Sequence, residues 1–119
     1  YWWSRVGPEI PPWDFSDPSP DAPLDSSSSA IVCSAFARLA VLDPLPEEAG
    51  PFISRLEPML ENLCAHLTPV DETDERPVGM LLSGCMNGRK QVAHKHELIW
   101  GDFYLMEALY CLEKKGLPC

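Results

Sequence analysis

The sequence predicts an all-α fold of about three main helices behind a proline-rich arm. Two observations predict it. Apolar residues recur at three- and four-residue spacing in three stretches, about 26–42, 47–67 and 102–115, which is the period of a helix with a buried face. Prolines, acids and glycines punctuate those stretches where helices start and stop.

Each element follows in chain order. Residues 1–5 read as the tail of a preceding helix, and residues 6–24 as an extended arm. Pro8, Pro11, Pro12, Pro18, Pro20 and Pro23 remove backbone donors and fix φ, so no helix persists there. Trp13 and Phe15 are the arm's anchors to a surface. Asp25 is a natural N-cap for a helix over about Ser26–Leu42, because its carboxylate accepts from unpaired N–H groups and complements the positive helix end. Ile31, Ala35, Phe36, Leu39 and Leu42 form the expected core stripe. The other face (Ala30, Cys33, Ser34, Ala37, Ala40) is small and weakly polar. A helix this apolar all round belongs inside something larger.

Asp43-Pro44-Leu45-Pro46 is the turn into a second helix, about Glu47–Leu67. Phe52, Ile53, Leu56, Met59, Leu60, Leu63, Cys64 and Leu67 make its stripe, and Pro51 and Pro58 mark a true start or a kink. Residues 68–79 form a polar loop with Asp71, Glu72, Asp74 and Glu75. Met80–Ser83 is a short extended piece, and Gly84–Glu97 a loop or hairpin. The last helix covers about Asp102–Lys115, with Phe103, Met106, Leu109 and Tyr110 on one face and Leu105 and Leu112 beside it. Lys114, Lys115, Gly116 and Pro118 are its stop signal.

A length of 119 residues allows one domain at most. The division read from the sequence is the end of a helix and the arm at 1–24, then a helical hairpin, loop and final helix at 25–119. The first helix carries more apolar surface than two neighbours cover, so this reads as a single partial domain. Tyr1 at the start fits a processed chain or a piece of a longer one. The net charge of -9 argues against nucleic acid, which needs clustered Lys and Arg, and against anionic membrane surfaces. No apolar run has the length of a membrane span. Five widely spaced cysteines are not a disulfide framework. Cys33, Cys64 and Cys111 read as small buried hydrophobes, and a reducing, cytoplasmic setting is the expectation.

Two motifs are more specific. The first is Trp13-Asp14-Phe15, then Pro23-Leu24-Asp25-Ser26-Ser27, then Ala30-Ile31. The second is Leu98-Ile99-Trp100-Gly101-Asp102-Phe103-Tyr104-Leu105-Met106-Glu107-Ala108-Leu109. In that order and separation they resemble the unsaturated glucuronyl hydrolase family, over most of this chain but only the family's C-terminal third. The resemblance implies the C-terminal portion of an (α/α)6 barrel, a ring of six helical hairpins. It implies as substrate an oligosaccharide with an unsaturated uronate, released by a polysaccharide lyase. An aspartic acid protonates the C4=C5 double bond, water adds at C5, and the hemiketal collapses to free the neighbouring sugar. No cofactor or metal is implied. The family's catalytic aspartates and its Arg-Gly-Gln-Ala-Trp segment lie upstream of the arm, so no acid here inherits the catalytic role by matching. The partner implied is therefore the N-terminal part of the same barrel, and this segment alone is expected to be inactive. The alternative is a non-catalytic helical remnant or interaction module.

Candidate substrate contacts are Trp13, Ser26, Ser27, Asn87 and Lys90. Trp13 offers a ring face for a sugar, against a plain anchoring role. Ser26 and Ser27 sit at a helix start, whose N–H groups favour a carboxylate, while Asp25 is accounted for as a cap. Asn87 and Lys90 are in the polar stretch Ser83–Lys90, where a hydroxyl or anion competes with a solvated basic turn. Trp100 and Tyr104 offer the same two roles as Trp13, and for Trp100, at a helix start, packing is the expected one. His94-Lys95-His96 with Cys85 fits no zinc spacing, and a Cys85–His nucleophile pair is equally unsupported.

Overall fold

In the computed structural model, which describes residues 1–115, Asp25 starts a 15-residue helix. Its side chain accepts from the N–H of Ser27, and α2 runs Ser26–Ala40 behind it. The other elements are α1 (Trp2–Val6), a 3₁₀ turn (Glu47–Ala49), α3 (Gly50–Ile53), α4 (Leu56–Cys64), β1 (Gly84–Asn87), β2 (Val92–His96) and α5 (Ile99–Lys115). Gly116, Pro118 and Cys119, part of the expected stop signal and the last cysteine, lie outside the described residues.

The fold is mostly helical but not all-α. β1 and β2 pair antiparallel, with Gly84 opposite His96 and Asn87 opposite Val92. The ribbon is irregular, since Ala93 and Lys95 hold positive φ within β2. A stretch without a period thus resolves as a hairpin rather than a loop.

The expected second helix is three pieces. Gly50–Ile53 ends at Ser54, and α4 begins afresh at Leu56, which puts Pro58 in its first turn. Proline is tolerated there because first-turn N–H groups have no helical partner anyway. The break replaces the kink. Cys64 ends α4 exposed, not buried as its stripe position predicted.

The arm is not extended either. Pro12 bridges Leu24, Trp13 N–H donates to the Pro23 carbonyl at 2.7 Å, and Asp25 N–H donates to that of Pro11 at 2.9 Å. The loop between closes through side-chain turns. Asp14 accepts from Ser16 N–H at 2.8 Å and Asp17 from Ser19 N–H at 2.9 Å. Phe15 contacts Tyr1 and Trp2 edge-on, pinning the loop to α1.

The core collects Ile10, Ala30, Cys33, Ala37, Leu56, Met59, Leu60, Leu63, Leu81, Leu105, Ala108 and Leu112. Here the expected faces invert. On α2 the small face is buried, while Ile31 and Ala35 are exposed and Phe36 and Leu39 half-buried. On α5 the buried residues include Leu105, Ala108 and Leu112, while Phe103, Met106 and Tyr110 are 59%, 70% and 59% exposed. The cause is close approach between α2 and α5. A Cβ on Gly101 would lie 3.3 Å from the Ser27 Cβ. An approach this close favours small residues on the α2 side of the contact, which leaves Ile31 facing outward. Ser34 Oγ donates to the Glu107 carboxylate across the same interface.

Candidate functional site

Arm, α2 start and β-hairpin converge on Asp25. Its Oδ1 accepts from Ser27 N–H at 3.2 Å, Ser27 Oγ–H at 2.7 Å and Cys85 N–H at 3.3 Å. One carboxylate therefore caps the helix and fixes the start of β1. Ser26 adds a second tie, with N–H donating to the Ser83 carbonyl at 3.0 Å and Oγ–H to that of Leu82 at 2.7 Å. Ser26 and Ser27 are 1% and 4% exposed, so both hydroxyls spend their protons inside the chain. Ser83 accommodates this junction at φ 67°, an unfavourable region for a serine. Its Oγ lies 2.9 Å from His66 Nδ1.

From this junction the hairpin carries its tip onto the arm. The Asn87 side-chain oxygen accepts from Lys90 N–H at 3.0 Å, shaping the turn. Gly88 sits against Trp13, since a Cβ there would come within 3.0 Å of the indole Cε3 and 2.8 Å of Pro23 Cγ. Any larger residue would push the tip off the ring. Arg89 Nη2 donates to Asp14 Oδ2 at 3.2 Å. The side chains are 80% and 26% exposed, so solvent screens the pair and it gives registry more than stability.

Arm and tip enclose a cleft of about 250 Å³ lined by Trp13, Asp14, Ser16, Asp17, Pro23, Gly88 and Arg89. Bonds from the Ser16 hydroxyl and then its backbone N–H, outweighing burial and reinforced by Arg89, hold the Asp14 carboxyl below the usual carboxylate range. Carboxylates, a guanidinium and an indole around one opening suit a hydroxylated ring. The polar groups exchange hydrogen bonds with hydroxyls while the indole takes the C–H face. A second hollow, about 330 Å³, lies at the C-terminal ends of α2 and α5 among Val41, Tyr110, Cys111 and Lys114, and has less polar convergence.

Of the sequence-derived candidates, the structure groups Trp13 with the turn that holds Asn87 and Lys90. Lys90 is exposed. Ser26 and Ser27 lie behind that turn as its support. Asp14, Asp17 and Arg89 line the cleft and escaped the sequence reading. The Asp-x-Ser repeats at Asp14 and Asp17 signalled turns, but nothing local signalled the link to Arg89, 75 positions away. Among the described residues, no group of three or more His, Cys, Asp or Glu is placed to hold a metal ion, and no helix is long and apolar enough to cross a membrane.

Comparison with known proteins adds an independent line. No family model matches the chain. An unsaturated glucuronyl hydrolase of Bacillus sp. (strain GL1) is 31% identical over 104 residues, which is 86% of this chain and 27% of that protein. The solved structure of the unsaturated glucuronyl hydrolase from Bacillus sp. GL1, responsible for the degradation of glycosaminoglycan, superposes with TM-score 0.77 and 27% identity over 96% of this chain and 30% of that one. A variant UGL solved with dGlcA-Glc-Rha-Glc matches with the same TM-score, 0.77, and the same 27% identity over 96% of this chain and 30% of that one. The chain thus spans between a quarter and a third of the length of these relatives.

Proposed function

Because the chain belongs to the unsaturated glucuronyl hydrolase family, we propose that it supplies the C-terminal segment of a hydrolase acting on lyase-released oligosaccharides that end in an unsaturated uronate. Its helices are then one arc of an (α/α)6 barrel, and residues 1–119 are one partial domain of it. The observation that carries this reading is the joint agreement of sequence and fold along nearly the whole chain.

In that reading a carboxylic acid protonates C4 of the double bond, water adds at C5, and the resulting hemiketal opens with loss of the neighbouring sugar. That acid belongs to the part of the barrel outside these residues. What this chain supplies is shape. Asp25, Ser26 and Ser27 lock the α2 start to the hairpin, and the locked hairpin presents Asn87, Lys90 and the Trp13 cleft to the oligosaccharide.

A second reading, a non-catalytic interaction module, would use the same uncovered α5 face of Phe103, Met106 and Tyr110 as its docking surface. Ultraviolet absorbance of the unsaturated uronate separates the two. The complete product of the coding sequence should consume an unsaturated disaccharide with loss of that absorbance, and the 119-residue chain alone should not. No loss from the complete product would favour the module, and turnover by the chain alone would refute the assignment of the acid.

A further inference from the structure

We propose that Ser83 is a nucleophilic serine, activated by His66, that takes up small acyl groups from activated esters. The inference goes beyond the saccharide reading above and does not depend on it.

The backbone sets the nucleophile. Ser83 holds φ 67°, a left-handed conformation that is costly for a residue with a Cβ and persists only where the surroundings enforce it. Ties on both sides enforce it here. The Ser83 carbonyl accepts from Ser26 N–H at 3.0 Å, and the Leu82 carbonyl accepts from Ser26 Oγ–H at 2.7 Å. Leu82 N–H donates to the His66 carbonyl at 3.0 Å, beside the bridge between Leu67 and Leu81. His66 N–H in turn donates to the Leu63 carbonyl at 2.9 Å. Both residues are thus held by their backbones, and their side chains meet with Ser83 Oγ 2.9 Å from His66 Nδ1.

The chemistry follows from that contact. With the ring proton on Nε2, Nδ1 accepts the Ser83 hydroxyl proton at the distance of a nucleophile–base pair. Both residues are half-buried, so a small reagent reaches them. Ser83 N–H donates to no acceptor among the described residues, which leaves it available to the oxyanion that forms when Oγ attacks a carbonyl. In the first step the Oγ–acyl bond forms, the hydroxyl proton passes to Nδ1, the ester C–O bond breaks, and the leaving alcohol carries that proton away. In the second, His66 takes a proton from water, the hydroxide adds to the acyl carbon, and the acyl–Oγ bond breaks as Ser83 recovers the proton. Among the described residues no acid accepts from His66 Nε2, so the pair suits an activated ester and not an amide. Ser83 and His66 line neither hollow described above, which confines the acyl group to a small one such as acetyl.

The test is p-nitrophenyl acetate added to the 119-residue chain, with release of p-nitrophenolate followed and the acetyl group located by peptide mass mapping. Acetyl should reach Ser83 about a hundredfold faster than the exposed Ser19, the lower end of what a positioned base supplies, and His66→Gln should remove about that factor. Acetylation of Ser83 should slow in deuterium oxide in the unaltered chain but not in His66→Gln, which reads proton transfer and is not moved by a merely structural imidazole. Ser83→Gly, a residue suited to this φ, should keep the helical circular dichroism and lose the labelled position. Acetylation of Ser83 no faster than of Ser19, or a Ser83 rate unchanged by His66→Gln, overturns the assignment.

Discussion

Asp25 and Ser29 show how the same α2 turn holds opposite kinds of polar residue. Asp25 satisfies two backbone donors and one hydroxyl. Asp25→Ala should therefore destabilise by about 1–2 kcal/mol in a denaturant titration, the cost of a lost N-cap. Ser29 is fully buried and its hydroxyl has no partner. Ser29→Ala in the same titration should be neutral or stabilising, because an unpaired buried hydroxyl already carries its desolvation cost. Acidic Asp74 illustrates a third case. Side-chain bonds from Arg76, then that residue's N–H, hold its carboxyl at about 2 instead of 3.8. With a depressed folded value, its contribution is present above pH 3.8 and is lost as pH falls through about 2. An NMR titration should find the Asp74 midpoint depressed, and Arg76→Ala should return it toward 3.8. The Asp25 cap was legible in the sequence, because an N-cap acid needs no distant partner, whereas Asp74 read only as part of a polar loop.

At the scale of elements, the helices α2 and α5 were legible and their faces were not. Periodicity shows that apolar residues line up. It does not show which side meets a neighbour when the helix is apolar all round. Gly101 decided the matter by letting α5 approach Ser27 closely. The small face then became the interface, and Ile31, Phe103 and Met106 turned outward. Helix α4 has a clearer polar side, and there its stripe residues Leu56, Met59, Leu60 and Leu63 are buried as expected. Its start was not legible, because a proline early in a helix and a proline within one look alike until the backbone break at Ser54 is seen. Leu63 is fully buried against this core. Leu63→Ala should cost about 2–5 kcal/mol by the same titration. Gly101→Val should also destabilise, by about 1–3 kcal/mol, since its side chain would force α2 and α5 apart.

At the scale of the molecule, the family was legible from two motifs, while the cleft between arm and hairpin was not. The motifs are contiguous in sequence, whereas the cleft joins Asp14 to Arg89 across the whole fold. The uncovered residues have the same origin. Ile99, Phe103, Met106 and Tyr110 are 75%, 59%, 70% and 59% exposed. Apolar residues repeating along one helix form a patch that an independent monomer rarely leaves bare. On the proposed reading, the rest of the barrel would cover this surface in a chain that spans 27% of its relative's length. Sedimentation velocity of the isolated chain tests that claim most directly. The expected result is association that grows with concentration and weakens in Met106→Lys. A single 13.3 kDa monomer at every concentration would contradict it.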